Sequence, residues 1–302
     1  MILPLFAILL AGAAAARLRL LPATAATVLS RFVFVIALPS VIFSSLIRIE
    51  VADFFNWSYI GALGGGMLLT FVIGIAMARF AFGQDSSTAT VHGLTAMYSS
   101  TAYIGLPLIL TLFGDSALVP GIIGAIITGL VFAPLAIVLL ELRRDREQQS
   151  HLLAPLFAVF TRPPILAAAA GLLVSASGLT LPAPVIGFFE LLGGAFVPCA
   201  LFAAGLFVAG CSLRGGAVEL GWLAGAKLLL HPLITWWLAF HVFELNPLFA
   251  SVAVLQAALP SGVPVFVLAQ QYGCYEARSS AAIAVTTALS VITIPALYLW
   301  LS

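Results

Sequence analysis

Polar residues interrupt this chain so seldom that roughly ten apolar runs follow one another along it, each near the ~20 residues a helix needs to cross a hydrocarbon core. The runs are 2–16, 24–47, 56–80, 90–113, 118–140, 162–178, 184–208, 220–243, 247–270 and 278–301. A soluble fold of 302 residues must cover a large surface with charge, yet only 8% of this chain is charged and 63% is hydrophobic. Soluble domains run near ~25% and ~45–50%. The reading is therefore an all-α integral membrane protein with lipid against most of its surface. The first run reads as a mature span: no basic residue precedes it, although Ala13 to Ala16 look like a cleavage region.

The longest polar interval, ELRRDREQQSH from Glu141 to His151, falls between the fifth and sixth runs. Arg143, Arg144 and Arg146 assign it to the cytoplasm by the positive-inside rule. Alternating outward puts Arg17, Arg19, Arg31, Arg79, Arg162, Arg214 and Arg278 on the same side and Arg48 on the other. The expectation is a multi-pass protein of the cell (inner) membrane with both termini extracytoplasmic. A net charge of +1 without a basic stripe gives nucleic acid nothing to bind. Cys199, Cys211 and Cys274 lack metal-ligand spacing and read as small buried hydrophobes. Walker A and HExxH patterns are absent, so no enzyme, catalytic residue, metal site or resident cofactor is expected. Ser261 with His231 or His241 would be the seed of a serine hydrolase, but no nucleophile elbow accompanies them.

Proline and glycine repeat at a nearly constant offset. Pro4 and Gly12 match Pro163 and Gly171, Pro22 matches Pro182, Pro39 matches Pro198, Gly105 and Pro107 match Gly262 and Pro264, and Pro134 matches Pro295. The offsets are 159, 160, 159, 157 and 161. Five runs per half force the second half to enter the membrane from the opposite side. The expected architecture is thus ten transmembrane helices as a 5+5 inverted repeat, an arrangement typical of secondary transporters: 1–140 the first repeat, 141–161 a cytoplasmic loop, 162–302 the second repeat.

The fourth and ninth runs are expected to break near mid-bilayer. MYSSTAYIGLPLILTLFG carries five hydroxyl side chains ahead of Gly105 and Pro107, and LQAALPSGVPVFVLAQQYG carries Pro260, Ser261, Gly262 and Pro264 within five residues. Proline removes an amide and clashes one turn back. Each break starts a second half-helix whose amide end favours an anion, above all a carboxylate. The candidate substrate-binding residues are Ser100, Thr101, Tyr103, Gly105, Pro107, Pro260, Ser261, Gly262 and Pro264, with Ser99 beside them. Few ionisable groups lie within the runs. Lys227 and His231 share a face of the eighth, where Lys227 reads as snorkelling to the cytoplasmic end; His92 reads as interfacial, and Glu190 and Arg31 as lying on opposite sides. Gln256, Gln270 and Gln271 flank the ninth-run break.

RFVFVIALPSVIF at 31–43, AYIGLPLILTLFG at 102–114 and ALPSGVPVFVLAQQYG at 258–273 resemble the auxin efflux carrier family, which includes plant PIN auxin exporters and bacterial relatives described as malonate or malate permeases. The likeness covers essentially the whole chain. It implies a fold shared with bile-acid/sodium symporters, with spans 1, 2, 6 and 7 as scaffold and spans 3–5 and 8–10 as a moving core. It also implies elevator-type alternating access for a small organic anion such as malonate, malate or an auxin-like acid. An anion-selective channel and a sodium-coupled bile-acid-like symporter are the alternatives. H+ and Na+ both stay open as coupling ion, and so does a homodimer; the other partner is membrane lipid. Two positions depart from the plant pattern: Ser100 replaces its asparagine, and the second proline, Pro264, comes one residue early.

Overall fold

The computed structural model describes residues 3–22, 24–49, 54–142, 160–211 and 216–301. Most of the expected cytoplasmic loop, including Arg143, Arg144 and Arg146, lies outside the described residues. Within them the chain is helical, without a strand: α1 (Leu3–Arg17), α2 (Ala25–Leu46), α3 (Trp57–Phe80), α4 (Ser86–Met97), α5 (Thr101–Phe113), α6 (Asp115–Glu141), α7 (Pro163–Ser177), α8 (Ala183–Ala209), α9 (Ala217–Val242), α10 (Pro247–Ala258), α11 (Val263–Gln271) and α12 (Glu276–Leu301). Six of these, α2, α3, α6, α8, α9 and α12, are long and apolar enough to cross a membrane; α1, α5, α7 and α10 are shorter apolar helices. The fourth and ninth runs are each divided, into α4 with α5 and α10 with α11.

Four prolines inside these helices share a mark that Pro295 of α12 lacks. A proline ring clashes with the carbonyl four residues back and offers no amide, and a widened turn with i to i+5 bonding absorbs that conflict. Such five-residue turns end two residues before four prolines: Val33–Ala37 before Pro39, Thr101–Gly105 before Pro107, Thr128–Phe132 before Pro134 and Ala226–Leu230 before Pro232. A fifth, Leu238–Val242, ends α9 with no proline following at that spacing.

The chain divides into two compact units. The first gathers Met1–Trp57, Ala102–Ile123 and Ala158–Gly210. Within it α1 packs on α8 and α7 on the second half of α2. These crossings are close enough to require glycine: a Cβ on Gly12 would strike the Phe202 carbonyl, and one on Gly171 would come 2.9 Å from Leu46 Cβ. Gly12 and Gly171 are a pair matched by the sequence offset, and they serve matching contacts. Arg48 and Glu190, both about half exposed, form an ion pair in this unit.

The second unit gathers Ser58–Thr101, Gly124–Phe157 and Cys211–Ser302. Here α9 packs on α10 and α12, and α4 packs on α11 and α12. α4 and α10 start alike. Asp85 caps α4 by accepting from the amides of Ser87 (2.9 Å) and Thr88 (3.1 Å), and Asn246 caps α10 by accepting from Phe249 (3.0 Å). Tyr59 of α3 is buried and donates to Gln256 Oε1 of α10 at 3.0 Å. Cys199, Cys211 and Cys274 are half-buried.

Candidate functional site

Two helices of the second unit stop in the middle of their apolar runs. α4 ends at Met97 and the backbone turns extended at Tyr98 (φ −70°, ψ 109°); α10 ends at Ala258 and turns extended at Leu259 (φ −61°, ψ 152°). The two extended pieces pair antiparallel at Ser99 and Ser261. The Ser100 amide donates to the Pro260 carbonyl at 2.9 Å, and the Gly262 amide to the Tyr98 carbonyl at 2.9 Å. Each break thus satisfies backbone groups of the other, which apolar surroundings demand. Gly262 lies where the pieces press together, since a Cβ there would lie 2.9 Å from Tyr98 Cδ1 and 3.1 Å from the Ser99 carbonyl oxygen.

The break in the fourth run is not at Gly105 and Pro107, as the sequence suggested, but upstream at 98–100. Pro107 is accommodated by the wide turn Thr101–Gly105, so the helix continues through it. The ninth run breaks at 259–262, as read, with Pro264 in the first turn of α11, where a missing amide costs little. Ser100, Thr101, Pro260, Ser261 and Gly262 therefore come together, all buried. Tyr103, Gly105 and Pro107 belong to the first unit, where the Tyr103 hydroxyl donates to the Ser30 carbonyl at 3.5 Å.

Stopping a helix leaves carbonyls without their usual partners. In an unbroken α4 the Thr95 carbonyl would accept from the Ser99 amide; here it accepts from Ser261 Oγ at 2.8 Å. In an unbroken α10 the Ala257 carbonyl would accept from the Ser261 amide, which instead donates to Thr286 Oγ1 of α12 at 3.1 Å. Lys227 of α9 takes over, its Nζ donating to the Ala257 carbonyl at 2.5 Å, to Ser99 Oγ at 3.0 Å, and lying 3.2 Å from His231 Nδ1.

The structure corrects the sequence reading of Lys227. Its relative exposure is 0%, and its amine turns inward to the crossing rather than out to the interface. No acidic side chain among the described residues pairs with it. His231 and Thr235, four and eight residues on, are also 0% exposed, and His231 Nε2 and Thr235 Oγ1 have no hydrogen-bond partner among the described residues. The legible signal was the spacing 227, 231, 235, a polar line along one face of an apolar helix. His92 is likewise buried, not interfacial: Nδ1 lies 3.0 Å from the Gly74 carbonyl and Nε2 3.9 Å from Glu219. Glu219, at the start of α9, pairs with Arg278 at 3.0 Å and accepts from the Tyr275 hydroxyl at 2.7 Å. Burial, then that carboxylate, push the Tyr275 phenol well above its ordinary pKa. Glu219 is thereby satisfied within its own cluster. Gln270 and Gln271 are exposed at the end of α11.

The Thr95 and Ala257 carbonyls at the crossing are filled by side chains of the protein. Neither α5 nor α11 has an acidic residue in its first turn, and α11 has no side-chain cap. A helix start without an acidic residue, such as that of α11, is an environment that favours negative charge.

Known proteins align over this whole arrangement. The chain is 30% identical over 299 residues, 98% of its own length and 93% of the relative's, to a protein of Rhizobium meliloti (strain 1021) named "Putative malonate transporter". It is 27% identical over 275 residues, 89% of its length and 87% of the relative's, to an uncharacterized transporter of Methanothermobacter thermautotrophicus. The uncharacterized transporter YfdV of Escherichia coli (strain K12) is 26% identical over 312 aligned positions, covering 99% of this chain and 95% of that one. The profile of the family described as membrane transport protein matches residues 1–298, and the chain belongs to that family, the auxin efflux carriers, as a multi-pass membrane protein.

Proposed function

We propose that this protein is a secondary carrier of a small organic anion, a short carboxylate with malonate the first candidate. The observation that carries the reading is the crossing of the breaks after α4 and α10, where Ser261 and Lys227 fill the Thr95 and Ala257 carbonyls and α11 starts beside them with neither a side-chain cap nor an acidic residue in its first turn. Ser100, Thr101, Pro260, Ser261, Gly262 and Pro264 shape the site around the crossing. The prolines and glycines expose backbone, and the hydroxyls orient the carboxylate. The name of the 30%-identical relative supports malonate.

The architecture in this reading is ten spans in two inverted halves of five, in the inner membrane with both termini outside. The matched glycines Gly12 and Gly171 in matched helix crossings, and the caps Asp85 and Asn246 of the two broken helices, 161 positions apart, support the repeat. Spans 3–5 and 8–10 move as a core against spans 1, 2, 6 and 7, carrying the crossing from one side of the membrane to the other.

Uptake of radiolabelled malonate by proteoliposomes tests the reading. A carrier saturates with concentration and is stimulated by malonate on the opposite side. Uptake linear in concentration without such stimulation would mean a pore, and no uptake of malonate, malate or other short carboxylates would remove the anion assignment.

A further inference from the structure

Two helix ends with exposed carbonyls make an electronegative spot at the crossing. α4 stops at Met97 and α10 at Ala258, and each carries the partial negative charge of a helix C-terminus, about half an elementary charge. In membrane carriers such ends, together with unwound backbone, are where a coupling cation is held. In this chain the spot is taken. Lys227 Nζ has three polar neighbours: the Ala257 carbonyl at 2.5 Å, Ser99 Oγ at 3.0 Å and His231 Nδ1 at 3.2 Å. The carbonyl belongs to α10 and the hydroxyl to the extended piece after α4, so one amine ties both breaks to α9. If the ammonium donates to His231 Nδ1, the imidazole proton lies on Nε2, the atom with no partner among the described residues.

Deepening the anion-carrier reading on which it rests, we propose that Lys227 is a built-in cation, its ammonium occupying the place where an ion-coupled carrier holds an alkali ion at its broken helices. A tethered charge there cannot dissociate. Transport then requires no Na+, and the crossing keeps its geometry on both faces of the membrane whatever the cation composition. Lys227 is a positioning residue: its amine is held by groups of the protein, and it acts on the anion through the helix breaks it holds together. Arginine is a poor substitute, because a planar guanidinium cannot direct three donors around one point.

Melting of the purified protein in detergent tests this without knowledge of the substrate. Wild type is heated in NaCl, KCl or choline chloride at equal ionic strength, and Lys227→Ala in the same salts and in methylammonium chloride. The expected result is one melting temperature for wild type in all three salts. Lys227→Ala melts lower in choline and recovers in Na+ or methylammonium, the recovery growing with the logarithm of cation concentration as mass action requires. Specific stabilisation of wild type by Na+ overturns the proposal, and so does a Lys227→Ala loss that neither small cation restores. Should Lys227→Ala fail to fold, the near-isosteric Lys227→Met replaces it, and a Met variant as stable as wild type in choline is again a refutation. In proteoliposomes, malonate uptake by wild type is expected to be equal with Na+ or choline outside. Absence of malonate uptake would count against the carrier reading alone, since the melting series stands apart from it.

Discussion

Gly262→Ala probes the crossing at its tightest point. At φ −86° and ψ 145° the backbone lies in the extended region open to alanine, so the whole penalty comes from contact. The added Cβ meets the Tyr98 ring at 2.9 Å and the Ser99 carbonyl oxygen at 3.1 Å, and one of these must yield. Parting the two pieces stretches the Ser100–Pro260 and Gly262–Tyr98 hydrogen bonds. At about 0.5–1.5 kcal/mol net for each bond, the pair is worth about 1–3 kcal/mol, and overpacking a tight site falls in the same range. For a chain this long each kcal/mol moves the melting temperature by roughly 2 °C, so the variant should melt roughly 2–6 °C below wild type. Gly221 serves as control, because it lies on α9 with nothing within 4 Å of an added Cβ. There alanine should stabilise by about 0.5–1 kcal/mol through helix propensity alone. Both variants are melted in one detergent at one scan rate, since membrane proteins often unfold irreversibly, and malonate uptake is measured alongside. If Gly262→Ala melts no lower than Gly221→Ala and transports normally, the close pairing of the two breaks is wrong.

Three further outcomes follow from individual contacts. Tyr59→Phe removes the buried donor to Gln256 and should lower stability by about 1 kcal/mol in a denaturant titration. Asp85→Ala deletes the cap of α4 and should cost about 0.5–2 kcal/mol. Hydrogen bonding, chiefly from Thr88, holds the Asp85 carboxyl below its ordinary pKa, so its contribution is complete above the ordinary carboxylate range and fades as pH falls through the lowered value. Melting wild type and Asp85→Ala side by side should show a gap that narrows only in acid. Glu190→Gln breaks the Arg48 ion pair, whose side chains are 56% and 50% exposed, and should change stability by less than about 1 kcal/mol.

The helical character and the two breaks were legible because each rests on local chemistry. An apolar run of span length can only be a helix in lipid, and PSGVP cannot stay in one. The exact place of the fourth-run break was not legible, because two local responses compete at Pro107. A helix can stop, or it can widen by one residue per turn and continue. The second wins at Pro107, and the stop falls at Tyr98–Ser100, where Gly262 of another helix offers an amide to the Tyr98 carbonyl. That pairing partner lies more than 160 residues away, beyond what any local pattern reports. The same limit hid Glu190, whose partner is Arg48 rather than a residue of its own run.

Lys227 was misread for a related reason. A lysine near the end of an apolar helix has two ways to satisfy its charge: extend to the interface, or find carbonyls inside. The second is open only where a neighbouring helix has been cut. Ala257, the residue four before Ser261, offers such a carbonyl because the Ser261 amide turns away to Thr286. A broken helix therefore creates a need that some third helix must meet. α9 meets it with a residue in the wide turn that precedes Pro232, the same device that carries the chain through Pro39, Pro107 and Pro134. Prolines in this chain thus act at two levels. Pro260 helps to open the carbonyl end of α10, and the turn before Pro232 holds the lysine that fills it, so changing Pro232 should disturb the crossing although it is not part of the break.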